Sequence, residues 1–225
     1  MAACAVDNTP SARWRRRKTA RPAEILSAAL ASFAERGFAA TRLDDVAARA
    51  GVTKGTLYLY FDSKEELFKA VVRQELVPNL ERAEALVAGS AAPSLDLLDQ
   101  LVRDFARIIG SPLGAIPKLV LTEAGNFPDL ARFYREAVVE RGKALFRRVI
   151  ERGVAAGELQ PVDTESVVLC VIAPLLLACL WRHSFEPHSS RPLDIEALFR
   201  AQLDLLRRGL AAEPRGAPSN EGVAR

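Results

Sequence analysis

Few side chains in this 225-residue chain have the types and spacing that bond-making chemistry requires. The two histidines, His183 and His188, lie in one late segment, and no paired carboxylate or cysteine stands where it would complete a nucleophile and base or a metal site. No catalytic residue, metal ligand or cofactor is therefore expected. Cys4, Cys170 and Cys179 are odd in number; if Cys170 and Cys179 share a helix they fall on opposite faces, so both read as small buried apolar groups and not as a disulfide. Recognition chemistry is concentrated elsewhere, in Thr53-Lys54-Gly55-Thr56-Leu57-Tyr58-Leu59-Tyr60-Phe61. Wound as a helix, this run turns Leu57 and Phe61 inward with Val52 and shows Gly55, Thr56 and Leu59 on the opposite side, flanked by Tyr58 and Tyr60. A leucine exposed between two tyrosines is unfavourable in water and suits a second surface. Leu59 fits a thymine methyl or a sugar, Thr56 and the tyrosine hydroxyls suit phosphates, Lys54 suits a base edge or a phosphate, and Gly55 allows close backbone approach.

Several short helices must hold that face in place. A first helix opening at Pro22 carries Leu26, Ala29, Leu30 and Phe33 at i, i+3, i+4 and i+7 and stops at Gly37. Thr41 is expected to cap a second, with Asp44 three positions on, an inward stripe of Leu43, Val46, Ala47 and Ala50, and a stop at Gly51. Thr53 then caps the third, Lys54 to Phe61, after a turn so short that the two must cross steeply. Asp62 and Ser63 open a long fourth helix reaching about Val87, and Gly89-Ser90-Ala91-Ala92-Pro93 is the most linker-like stretch. Further helices are expected at 94–109, 113–123, 127–156, 164 to about 185, and 194–210, with no strand signal and no repeat. The expected fold class is all-α.

With 49% apolar and 26% charged residues, 13 Gly and 13 Pro, the chain has the composition of a folded protein. Its net charge of +3 is unevenly held: the first 55 residues contain ten basic against five acidic side chains, and the remainder is mildly acidic. Such asymmetry implies a polyanion at that end. An arginine-rich arm, Arg13 to Arg21, could follow its backbone or enter a minor groove. No apolar stretch follows the arm, so no secretory signal is expected. The longest apolar run, Val167 to Trp181, has Pro174 inside it and is 15 residues long, short of the roughly 20 a membrane span needs, so a helix buried on both sides is expected.

From Leu43-Asp44-Asp45-Val46-Ala47-Ala48-Arg49-Ala50-Gly51-Val52-Thr53-Lys54-Gly55-Thr56-Leu57-Tyr58 through Phe61-Asp62-Ser63-Lys64-Glu65-Glu66-Leu67-Phe68, the sequence resembles the N-terminal domain of TetR-family transcriptional regulators. The resemblance covers roughly 22–72, including Phe33-Ala34-Glu35-Arg36-Gly37-Phe38; the remaining 150 or so residues match that family only in length and helical content. It implies a helix-turn-helix domain at 21–66 after a flexible basic arm (1–20), a helical regulatory and dimerisation domain at 67–212, and a disordered tail at 213–225. It further implies that Thr53, Lys54, Gly55, Thr56, Tyr58, Leu59 and Tyr60 face double-stranded DNA, that Thr41 and Arg42 meet its backbone, and that Lys64 holds a phosphate. Leu59 departs from the polar or larger residues usual at its position, which leaves the operator sequence unread, and Asp62 adds a repulsion that Lys64 must offset.

Members of that family are dimers, and a three-helix reader alone makes few phosphate contacts, so a homodimer on a palindromic operator is expected. Its surface is assigned to Val171, Leu175 and Ala178 of the apolar run and to Ile195, Leu198, Phe199, Gln202, Leu205 and Leu206 of the last helix. The resemblance also implies a small-molecule effector in the C-terminal bundle, for which Phe105, Leu119, Glu123, Phe127, Phe133, Tyr134, Phe146 and Trp181 are candidate lining residues. A cytoplasmic protein at the bacterial nucleoid follows, acting on DNA and not on a membrane. The rival expectation is a helical ligand carrier or peripheral membrane protein, suggested by the basic arm and the apolar run.

Overall fold

A computed structural model describes the backbone of residues 11–212 and the side chains of residues 22–212. Among the described residues it contains α-helices, 3₁₀ and π turns and no strand; one isolated bridge pairs Leu159 with Ala211. The all-α expectation holds. The described residues form two compact units, one from those up to Leu76 together with Leu119–Tyr134, the other from Val77–Lys118 and those from Arg135 onward. The chain therefore does not divide simply at residue 66, and the linker-like stretch at 89–93 lies inside the second unit.

In the first unit, α1 (Ser11–Arg36) starts upstream of the expected position and contains Pro22. Proline's fixed φ is helical and removes one ladder bond only, so it does not oblige a helix to begin there. Residues 11–20 of the expected arm are thus helical, whereas 1–10 and the tail at 213–225 lie outside the described residues. Gly37 and Gly51 adopt the left-handed φ of +82° and +65° that end α1 and α2 (Leu43–Arg49) as their positions foretell. Next come α3 (Lys54–Tyr58) and α4 (Lys64–Val71), the latter capped by Ser63, whose hydroxyl accepts from the Glu66 N–H at 3.1 Å. The unit closes with the end of α7 (Ala115–Glu123) and with α8 (Pro128–Tyr134).

Four phenylalanines join these pieces. Phe38 stands 5.5 Å from Phe33, 5.6 Å from Phe68 and 4.9 Å from Phe127, the last two edge-on, and Phe33 and Phe68 are 5.5 Å apart. Each such pair is worth about 0.5–1.5 kcal/mol beyond the area it buries. Phe33, Phe38 and Phe68 are fully buried.

After α4 the backbone widens into a π turn at Val72–Leu76 before α5 (Val77–Gly89), where the sequence pattern reads as one uniform helix. Pro78 explains it: without an N–H it cannot serve the carbonyl four residues back, and a register shift accommodates its ring. A second π turn, Arg135–Val139, likewise separates α8 from α9 (Glu140–Ala155) where one helix from 127 to 156 is expected.

The second unit packs α5, α6 (Ser94–Ile109), α9, α10 (Thr164–Ser184) and α11 (Ile195–Leu210) around Leu97, Leu101, Val149, Ile150, Val171 and Phe199. The supposed linker is clamped: Arg152 donates to the carbonyls of Ser90 at 2.9 Å and Ala92 at 2.6 Å, and the Glu158 carboxylate accepts from the Ser94 N–H at 2.6 Å. Helix α10 runs unbroken through Pro174, because an amide from α11 supplies what the proline removes. Gln202 Nε2 donates to the Val171 carbonyl at 2.8 Å and reaches the Cys170 carbonyl, the one Pro174 leaves unserved, at 3.4 Å.

That arrangement places part of the expected dimer surface inside the chain's own core. Val171, Leu175, Ala178, Phe199 and Gln202 are buried in the chain's own core, and Ile195, Leu198 and Leu206 are half-buried against it. Of the nine, Leu205 alone is well exposed, at 72%. Within the chain α10 is buried on one side only. At 21 residues it is long and apolar enough to cross a membrane, and 28% of its most apolar stretch is buried. Its exposed face carries Leu169, Cys170, Leu177 and Trp181, followed by Phe185, whose ring lies 5.2 Å from that of Trp181. Cys170 is therefore exposed and not a core residue, whereas burial pushes the Cys179 thiol up to about 12.

Candidate nucleic-acid interface

Helix α3 is shorter than expected, ending at Tyr58, and Leu59 to Phe61 continue as a tight turn in which the N–H groups of Tyr60 and Phe61 both bond the Leu57 carbonyl. The wheel nonetheless sorts its side chains as anticipated. Leu57 is fully buried, Val52 and Phe61 are half-buried, and Tyr58, Leu59 and Tyr60 are exposed, Leu59 to 82%. None of the described residues covers this leucine.

The helix start is tightly bonded. Thr53 caps α3 by accepting from the Thr56 N–H at 3.1 Å, and the two hydroxyls are 2.8 Å apart. One of the two hydroxyl protons is used between them, which leaves one for a phosphate. Lys54 pairs with Asp44 of α2 at 2.9 Å, a bond that raises the Lys54 pKa above the ordinary lysine range, and its ammonium lies 5.9 Å from the Tyr58 ring centroid. Two further ion pairs lace α1 to α2: Arg36 to Asp45 at 2.7 Å, and Arg49 to both oxygens of Glu35 at 2.6 and 2.7 Å, a fork that lowers the Glu35 carboxyl. The lacing matters less as stability, since these groups are exposed, than as registration of the three helices.

Two of the expected backbone contacts come out differently. Thr41 is buried and does not cap α2: its hydroxyl donates to the carbonyl of Gly37 at 2.6 Å, also lies 3.2 Å from the Ser32 carbonyl, and the N-cap position falls to Arg42 without a side-chain bond. Its side chain is thus unavailable to a phosphate, and Arg42, exposed, is left at that position. Lys64 is half-buried, donating to the Ala39 carbonyl at 3.0 Å with its ammonium 4.7 Å over the Phe38 ring. The N–H of that same Ala39 donates to Glu123 at 3.3 Å. The loop between α1 and α2 is therefore held by two charged side chains.

Glu123 belongs to the group read from the sequence as pocket lining, and so do Leu119, Phe127, Phe133 and Tyr134; all five lie in the first unit. Phe127 packs on Phe38, and Phe133 lies under the guanidinium of Arg73 at 4.8 Å. Phe127 and Glu123 thus support the loop between α1 and α2, through Phe38 and the Ala39 N–H. Phe105, Phe146 and Trp181 lie in the second unit, with Phe146 buried in its core, Phe105 packed against that core and Trp181 exposed. An open recess of about 520 Å³ in that unit is lined by Gly110, Ser111, Pro112, Arg182, His183, Glu186 and Pro187. Arg182 bonds Glu186 at 3.1 Å, and Lys118 donates to the His183 carbonyl. His183 Nε2 and Glu186 Oε2 are buried without a hydrogen-bond partner among the described residues. Burial, helped by Arg182 and Lys118, holds the His183 imidazole below the ordinary histidine range, against the opposing pull of the Ile109 carbonyl and of Glu186. Among the described residues no cluster suited to a metal ion is found.

Residues 25–71 match the family of bacterial regulatory proteins called tetR, and residues 95–192 match the tetracyclin repressor-like C-terminal domain. The HTH-type transcriptional regulator YfiR of Bacillus subtilis is 32% identical over 151 residues, which cover 65% of this chain and 71% of YfiR. The chain belongs to the TetR family. It is accordingly a transcriptional regulator and not an enzyme. The HTH-type transcriptional repressor KstR2 of Rhodococcus jostii is 29% identical over 197 residues, covering 87% of this chain and 93% of KstR2. In fold, this TetR-family chain is similar to the regulator FadR of Bacillus subtilis, solved in complex with stearoyl-CoA: TM-score 0.71 at 22% identity, over 83% of this chain and 98% of FadR. TetR-family regulators bind DNA, form dimers and take small-molecule ligands.

Proposed function

We propose that this TetR-family chain is a homodimeric repressor that holds a palindromic operator through two copies of α3 and releases it when a small organic molecule binds the second unit. The observation that carries the DNA reading is the face of α3, where Leu59 stands exposed between Tyr58 and Tyr60 on a scaffold laced by three ion pairs. In the major groove Lys54, Gly55 and Leu59 meet base edges, Thr53, Thr56, Tyr58 and Tyr60 meet phosphates or sugars, and Arg42 and Lys64 meet the flanking backbone. Two copies on one two-fold axis read half-sites a helical turn or its multiples apart.

The dimer surface we assign to the exposed apolar residues Leu169, Leu177, Trp181 and Phe185 with Leu205 of α11, in place of the core residues expected from the sequence. For the effector we assign the recess at Arg182, His183 and Glu186, where the buried Glu186 Oε2, an acceptor without a partner among the described residues, calls for a hydrogen-bond donor on a ligand. Bound to an operator, the protein works at the nucleoid. The test is recovery of genomic fragments by the purified protein at physiological salt, followed by sequencing. Enrichment of one palindromic site supports the proposal; uniform recovery refutes it. Binding to anionic vesicles with indifference to DNA sequence would establish the membrane alternative that the exposed face of α10 invites.

A further inference from the structure

The geometry points to a base-pair reader built from two side chains, Lys54 and Asp44, which makes Asp44 a specificity-determining residue for a G·C pair in each half-site. The inference rests on α3 entering the major groove, as proposed above. Lys54 opens α3 and Asp44 lies in the first turn of α2, so their contact bridges the helix-turn-helix. The Lys54 Nζ stands 2.9 Å from Oδ1 and 3.0 Å from Oδ2, gripped by both oxygens, yet the side chains keep 61% and 48% of their exposure. An ammonium has three donors and a carboxylate about four acceptor positions. The closed pair therefore still offers an N–H donor beside a lone-pair acceptor. Contact of Nζ with the Tyr58 ring ties this arrangement to the exposed side of α3.

In the major groove a G·C pair shows the acceptors N7 and O6 of guanine beside the N4 donor of cytosine. Lys54 answers the first and Asp44 the second. With Lys54 on N7 and O6 the pair makes two bonds to guanine and a third to cytosine N4; on A·T that register sets the adenine N6 donor against Lys54 and the thymine O4 acceptor against Asp44, and a shift to adenine N7 and N6 keeps one bond to each side chain, one fewer than on G·C. Asp44 also changes what Lys54 does elsewhere. A lysine free of its carboxylate clamps any phosphate, whereas one held by Asp44 brings a negative charge with it and is weakened on sequences that do not offer cytosine N4.

The test selects duplexes from a randomised library with the full-length protein and then measures affinities for the selected duplex, its G·C-to-A·T variants and a scrambled duplex. A G·C pair is expected at one position of each half-site, with its replacement costing wild type on the order of tenfold per half-site. Asp44→Asn, which keeps the shape and removes the charge, is expected to lose most of that discrimination, bind scrambled DNA more tightly and show a steeper salt dependence, with an unchanged melting curve; Asp44→Glu restores part of the discrimination. Absence of G·C from the selected half-sites overturns the inference. Full discrimination in Asp44→Asn alongside its loss in Lys54→Ala also overturns it, while leaving α3 as the reader. Wild-type discrimination in both variants overturns the assignment of α3 itself.

Discussion

Leu205→Glu tests the dimer surface with a magnitude large enough to be decisive. Burying a leucine completely is worth about 1.5–3 kcal/mol. Leu205 still exposes 72% of its area in the single chain, so about 1–2 kcal/mol is unrealised there. In a two-fold interface the same residue is used twice, which brings the association energy carried by this one position to roughly 2–4 kcal/mol. Glutamate forfeits that and must be desolvated or protonated on both copies, at a cost of a few kcal/mol more. A total of about 5 kcal/mol or more weakens association by three powers of ten or beyond. Sedimentation velocity at low micromolar concentration is expected to show a dimer for wild type and a monomer for Leu205→Glu, with far-UV circular dichroism unchanged. Leu121→Glu, an exposed leucine of the first unit, is the control and is expected to remain dimeric. Leu205→Ala guards against misfolding, since it removes apolar area without a charge and is expected to shift the equilibrium part of the way. A fully dimeric Leu205→Glu would refute the assignment of α11 and with it the account of the exposed face of α10.

Lys64→Ala is expected to reduce the slope of log affinity against log salt by about one per half-site, measured by fluorescence anisotropy; an unchanged slope would mean that Lys64 stays on the Ala39 carbonyl when DNA is bound. Gly153→Ala places a methyl 2.6 Å from Leu159 Cδ1 and 2.8 Å from Ser94 Cβ, and is expected to cost about 1–3 kcal/mol, read as a fall of about 2–10 °C in Tm. No fall would show that Leu159 swings aside. For His183, burial depresses the folded-state pKa below the value of the unfolded chain, so the unfolded state binds the proton first. The stabilising contribution is present above the ordinary histidine pKa and is lost as pH falls through it toward the folded value. A drop in Tm on moving from neutral to mildly acid pH is expected, and it should be smaller in His183→Gln; equal drops would place the acid sensitivity elsewhere.

The parts of this molecule that could be read from residues alone are those whose cause is local. Gly37 and Gly51 stop helices because only glycine takes their φ without strain, and Thr53 caps α3 through a bond to a residue three positions on. Thr41 carries the same spacing signal yet is buried by a tertiary cause, since its hydroxyl is taken by the carbonyls of the α1 end. Aromatic residues announce burial without saying against what: Phe127 reads equally well as pocket or as scaffold, and only the fold sets it on Phe38. Helix α10 was the least legible element, because a run apolar all round has no polar stripe to give its direction. The signal that orients it lay outside it, in the pairing of a proline that orphans a carbonyl with a glutamine otherwise out of place in an apolar stripe. Lys54 and Asp44 repeat that lesson across α2 and α3. Ten residues apart, each reads as an ordinary surface charge; closed at 2.9 Å across two helices, they become a donor and an acceptor in fixed relation, and such a relation is what distinguishes one base pair from another.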